Sequence, residues 1–194
     1  MLGRGVDADA DAVHRLLNVS HDLSTSHGAV AFERWHPAYI ALGSNLNEPR
    51  EQVARGFEHL ATLPTTRLIA RSPLYGSVPF GPVEQGDFVN AVAAVLTQLE
   101  PLDLLRALKR LESELGREQP IVRWGPRLID LDLVVYADHR IDSPDLTIPH
   151  AGITQRNFVL YPLRDLAPDL AVPGHGVVRT LASLVSPAGL RRLD

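Results

Sequence analysis

The segment Arg123-Trp124-Gly125-Pro126-Arg127-Leu128-Ile129-Asp130-Leu131-Asp132-Leu133-Val134 is the densest run of reactive side chains in this chain. In an extended strand, side chains two residues apart share a face, with Cα atoms about 6.5 to 7 Å apart. Asp130 and Asp132 therefore point to one side, and Leu131 and Leu133 to the other. Two carboxylates that close repel one another unless a cation or a proton lies between them, so a hard divalent ion is a natural occupant. The plainer alternative is a polar strand face turned to solvent. Against it stand Arg127 three residues upstream, Arg123 beside Trp124, and a Gly125-Pro126 turn that fixes how the loop meets the strand. Carboxylates beside several arginines suit a polyphosphate: magnesium bridges Asp oxygens to phosphate oxygens, and guanidinium groups hold the remaining charge bidentately. Two ions about 3.5 to 4 Å apart would clamp both sides of an in-line displacement. No Gly-x-x-x-x-Gly-Lys-Ser/Thr run is present, and the single lysine, Lys109, lies in an amphipathic stretch, so a P-loop is excluded.

Composition narrows the classes further. With 194 residues, 45% hydrophobic and 22% charged, the chain has the make-up of one globular domain. It has no cysteine, hence no disulfide framework, no zinc-thiolate site and no thiol nucleophile. A net charge of −4 gives no basic footprint for nucleic acid. The longest apolar run, Ala91 to Leu96, fits a core strand and not a membrane span. The start of the chain lacks a basic region followed by an apolar stretch, and Asp7, Asp9 and Asp11 argue against a transit peptide, so a cytoplasmic protein is expected.

The elements that must position these residues follow from periodicity. Residues 1–36 read as a weakly packed N-terminal extension; the acidic alternation there has Ala12 where a calcium loop needs Gly and Asn18 where it needs a bidentate Glu. From residue 37 to 194 the pattern is that of one domain. Tyr39-Ile40-Ala41-Leu42 is a buried strand that stops at Gly43-Ser44-Asn45, and Asn47 is placed to cap a helix with Pro49 in its first turn. Thr66 to Tyr75 and Phe88 to Leu99 read as strands, separated by a loop over 76–87 rich in Pro and Gly. Pro101 opens an amphipathic helix carrying Leu104, Leu108 and Leu111 to a stop at Gly116. A second loop precedes a strand over Asp130 to Ala137, with a strand returning from Arg140. Residues 154–166 and 180–185 look helical. Such an order implies an α+β fold with helices packed on a mostly antiparallel sheet, and loops this long are usually binding loops or lids.

Taken together these segments resemble the 6-hydroxymethyl-7,8-dihydropterin pyrophosphokinase family, folate-pathway enzymes that move a diphosphate from ATP to a pterin alcohol. The resemblance rests on Tyr39 to Leu46, Pro79-Phe80-Gly81-Pro82 with Asp87-Phe88-Val89-Asn90, Gly116-Arg117, Arg123 to Val134, Ile148-Pro149-His150 and Arg156-Asn157-Phe158, in that order. It covers about residues 37–175. It implies a three-layer α-β-α sandwich with a ferredoxin-like core, ATP and the pterin as partners, two Mg2+ ions, and a monomer that binds neither nucleic acid nor membrane.

Position by position, the resemblance implies that Asp130 and Asp132 coordinate magnesium on the ATP triphosphate. It puts Arg117, Arg127, His150 and Arg156 on ATP, with Arg117 and Arg127 stabilising charge on the transferring group. Asn90 would hydrogen-bond the pterin beside Ser77 and the Phe80 backbone, Phe88 and Phe158 would sandwich its ring, and Trp124 would close over it. Glu112 is matched too. Each residue has a plainer role: Asn90 as a satisfied structural amide, Phe88 and Phe158 as core aromatics, His150 and Arg156 as surface residues, Arg117 as a cation at a helix end, and Glu112 as an exposed helix glutamate. The chain departs from the family where Gln119 replaces a basic residue, Ala151 and Phe88 replace tyrosines, and Val78 replaces a proline. Two other classes remain: a metal-dependent nucleotide phosphohydrolase, and a non-catalytic ferredoxin-like ligand-binding module.

Overall fold

The computed structural model describes residues 34–79, 83–116 and 125–193. Most of the N-terminal extension, together with Phe80, Arg117, Gln119, Arg123 and Trp124, lies outside the described residues.

The apolar run at Ala91 to Leu96 becomes the middle of β4 (Phe88–Thr97), the longest strand. It is apolar throughout because helices cover it on both sides: Ala91, Ala93 and Val95 enter one core, Val92 and Ala94 the other. Along one edge β4 pairs antiparallel with β1 (His36–Ser44) over its full length. Its other edge is shared by β2 (Thr66–Arg71) and β3 (Tyr75–Ser77). The single strand expected from Thr66 to Tyr75 is thus broken at Ser72, whose hydroxyl accepts the Val92 N–H at 2.8 Å. β1 pairs on its far side with β5 (Asp130–Tyr136), the end strand of the sheet, and β10 (Leu190–Arg192) extends the opposite end beyond β3. The strand returning from Arg140 does not join this sheet: β6 (Ile141–Asp142) pairs with β7 (Thr147–Ile148) in a separate ladder. A further small ladder joins β8 (Ala171–Val172) to β9 (Gly176–Val177).

One face of the sheet is covered by α1 (Pro49–Leu60) and α2 (Pro101–Glu114), through Val53, Phe57 and Leu60 and through Leu104, Leu108 and Leu111. The other is covered by α3 (Asn157–Leu166) and α4 (Val178–Ser183), through Leu160, Leu163 and Leu181. This is the expected three-layer arrangement. Asn47 does not cap α1. Asn47 and Glu48 sit at φ 47 and 58, no side chain caps the helix, and Gln52 Nε2 instead donates to the Asn47 carbonyl at 2.8 Å. The expected stop of α2 at Gly116 is met, with φ +89, where a residue with a Cβ would be strained. α3 starts three residues later than periodicity suggests, because residues before it form a turn closed by the Ile153 N–H on the His150 carbonyl at 2.9 Å.

Candidate active site

Strand register brings the sequence-predicted residues together. On the face covered by α3, Gly43 of β1 stands between Asn90 of β4 and Asp130 of β5, and the next residue on that face, Ala41, stands between Val92 and Asp132. Two interstrand spacings put Asn90 and Asp130 about 10 Å apart across the sheet. Between them the floor is only a glycine and an alanine, so a pocket opens there. A Cβ on Gly43 would already lie 3.4 Å from Asn90 Oδ1. The pocket is lined also by Ser77, Phe88, Arg127, Arg156 and Phe158.

At the β4 end, Asn90 and Ser77 are buried, and Asn90 Nδ2 donates to Ser77 Oγ at 2.9 Å. Phe88 and Phe158 are only partly buried and both border the pocket, with Phe158 also packed against the core under α3.

At the β5 end the carboxylates differ in their neighbours. Asp130 accepts from the Arg127 guanidinium. Asp132 has Lys109 Nζ 3.7 Å from Oδ1, with Arg156 and His150 Nε2 at 3.9 and 4.0 Å from Oδ2. His150 is placed by its N–H on the Val134 carbonyl at 2.9 Å, and its Nδ1 accepts from Gly152 N–H at 3.0 Å. That bond assigns the proton of the neutral imidazole to Nε2, the nitrogen facing Asp132. Burial pushes the His150 pKa below its ordinary value, against the pull of Asp132. Arg156 approaches because position 152 is glycine, where a Cβ would lie 2.6 Å from Arg156 Nε. His150 and Arg156 therefore both face Asp132 and are not free surface groups.

Glu112 corrects the sequence reading, since it is buried, at 2% exposure, and not an exposed helix glutamate. Its Oε1 accepts the Leu131 N–H at 2.6 Å and the Lys109 ammonium at 2.9 Å. Burial raises its pKa, while Lys109 and the Leu131 N–H pull it back. Because Leu131 lies between the two aspartates, this carboxylate holds β5 where the site needs it.

Sequence reasoning also missed Asn45. Its Oδ1 accepts the Arg127 N–H at 2.7 Å, and its own N–H donates to the Arg127 carbonyl at 3.1 Å. Its Nδ2 donates to Gln85 Oε1 at 2.9 Å and to the Gly86 carbonyl at 3.2 Å. One amide thereby fastens the end of β1 to both site loops. Its signals were a place in the matched segment Tyr39 to Leu46 and a polar residue closing a strand, which a turn explains equally well.

Among the described residues no group of three or more His, Asp and Glu comes together as a metal cage. The aspartate pair fits Mg2+ in another way, since that ion is commonly held by one or two carboxylates with phosphates and waters completing its shell. Residues 39–168 match the family model described as 7,8-dihydro-6-hydroxymethylpterin-pyrophosphokinase (HPPK). The chain belongs to this family. It is 50% identical over 155 residues to the 2-amino-4-hydroxy-6-hydroxymethyldihydropteridine pyrophosphokinase of Pseudomonas aeruginosa, covering 80% of this chain and 95% of that one. Identity to the Haemophilus influenzae protein of the same name is 45% over 144 residues, covering 74% and 89%. In structure it is similar to wild-type Plasmodium falciparum HPPK-DHPS with pteroate, at TM-score 0.63 and 17% identity, over 84% of this chain and 43% of that chain. The chain thus spans under half of that longer protein, and the likeness speaks for the ferredoxin-like α+β fold.

Proposed function

We propose that the chain transfers diphosphate from ATP to 6-hydroxymethyl-7,8-dihydropterin in folate biosynthesis, as a monomer in the cytoplasm. The observation that carries this reading is the register across Gly43, which sets a buried amide and a carboxylate pair on one face, a heterocycle's width apart. Asn90 offers its amide to the pterin edge, with Ser77 beside it. Phe88 and Phe158 take the ring faces. Arg117, Arg127, His150 and Arg156 take ATP, chiefly its phosphates.

The pterin hydroxymethyl oxygen attacks the β-phosphorus in line, the bond from that phosphorus to the α-phosphate oxygen breaks, AMP leaves, and the hydroxyl proton passes to solvent. Asp130 and Asp132 would hold two Mg2+ ions, which would supply positive charge to neutralise what develops on the phosphates. Arg127 sits against Asp130, ready to meet negative charge as it grows on the transferring group. No covalent enzyme intermediate is required, so the protein's part is alignment and charge stabilisation.

AMP formation from ATP and Mg2+, with and without the hydroxymethylpterin, tests this. AMP that appears only with the pterin supports diphosphoryl transfer. Diphosphate release without the pterin would point to a phosphohydrolase, and no turnover at all to a binding module.

A further inference from the structure

We propose that Lys109 is a resident counter-charge for Asp132 that keeps the carboxylate pair from taking a free divalent ion, reserving the site for an ion that arrives with a polyphosphate. This rests on the metal-binding reading of Asp130 and Asp132.

Lys109 is the single lysine among 19 basic residues. It belongs to α2, on the opposite side of the sheet from the pocket, and reaches the site around the open edge of β5. Two hydrogen bonds tether its ammonium there, at 2.9 Å to Glu112 Oε1 and 3.4 Å to the Leu131 carbonyl. Glu112 is buried and held in turn by the Leu131 N–H, so the tether is anchored to the strand that carries Asp132. The result is a fixed positive charge 3.7 Å from Asp132 Oδ1. Oδ2 faces Arg156 and His150 at 3.9 and 4.0 Å, so both oxygens of this carboxylate already face nitrogen donors. A bare divalent ion must enter against the ammonium. An ion carried by a nucleotide brings phosphate oxygens that satisfy the displaced cations, so it meets no such opposition. With the lysine partly exposed, at 44%, the repulsion corresponds to roughly a three- to tenfold loss of affinity.

The test uses Mn2+ as the probe, titrated into the full chain and followed by loss of its free-ion EPR signal. Lys109→Gln removes the charge but can still donate to Glu112 and Leu131, and Lys109→Arg keeps the charge. Without nucleotide, Lys109→Gln should bind Mn2+ about three- to tenfold more tightly than wild type, and Lys109→Arg like wild type. With a non-hydrolysable ATP analogue the gap should fall below about twofold. Because the chain has one lysine, acetylation of the folded wild-type protein gives the same neutralisation without any change of sequence, with acetylated Lys109→Arg as the blank. Equal or weaker Mn2+ binding after neutralisation overturns the proposal. If that equality accompanies analogue-dependent binding that Asp132→Asn abolishes, the metal reading survives alone. Absence of Mn2+ binding in every form, even with the analogue, removes both.

Discussion

Asp130 and Asp132 stand two residues apart, yet one is joined to an arginine of its own loop and the other is ringed by groups from α2, the residue that precedes α3 and the His150 turn. Both are expected to be indispensable. Asp130→Asn or Asp132→Asn should lower AMP formation at saturating Mg2+ by on the order of 10² to 10³, with the circular dichroism spectrum unchanged, because each removes a ligand to ions that carry transition-state charge. At the other end of the pocket, Asn90→Ala should raise the pterin KM well above that of wild type while the ATP KM stays put, as steady-state kinetics in each substrate would record. A proportional rise in both would deny Asn90 a pterin-specific role. The aspartate face was legible from the two-residue period of a strand, and Asn90 from a polar residue inside an apolar run. The contacts of Asn45, Lys109 and Glu112 were not, although the resemblance covers Asn45 and Glu112, because their partners lie 82, 22 and 19 residues away and only the packed sheet brings them together.

At the scale of elements, the turn before α3 and the end of β1 govern how the site is held. Gly152→Ala is a discriminating change. The added Cβ meets the far part of a long side chain, which can swing aside, so the fold should persist with a stability change below about 1 kcal/mol. Arg156 would be driven off Asp132, and the ATP KM should rise; an unchanged ATP KM would separate Arg156 from nucleotide binding. Asn45→Ala acts on the loops instead. It strips the Arg127 N–H of its acceptor and releases Gln85 and Gly86, at a cost of about 1 to 3 kcal/mol by denaturant titration. Element types were legible along most of the chain, since both long helices and the buried strands declare their period. Their pairing was less so. The strand after Asp138 looked like a hairpin return but pairs locally instead, and the three residues of β10 have too little apolar content to betray a place on the sheet edge.

For the molecule as a whole, sandwiching the sheet between helices buries tyrosines in both layers. Burial pushes Tyr136 up to about 12, and burial with its 2.6 Å bond to Asp165 does the same for Tyr75; burial raises Tyr39 as well. The unfolded chain ionises these groups near their ordinary value of about 10, whereas the folded chain holds them neutral. Their contribution to stability is therefore complete below pH about 10 and is lost as pH rises towards about 12. Denaturation midpoints measured across that range, with tyrosinate absorbance as the monitor, should fall with rising pH, and a flat profile would contradict the burial. Helices packed on a mostly antiparallel sheet were legible from the order of strands and helices along the chain, whereas the three layers were implied by the family resemblance. The same plan leaves β5 as an end strand, and an end strand with bare amides and carbonyls is a template on which a second chain can add. Here Glu112 and Lys109 occupy the outward N–H and carbonyl of Leu131, and the His150 N–H takes the carbonyl of Val134. The side chains that steady the carboxylates thus also deny the sheet edge to intruding strands, which ties catalytic order in this fold to resistance against aggregation.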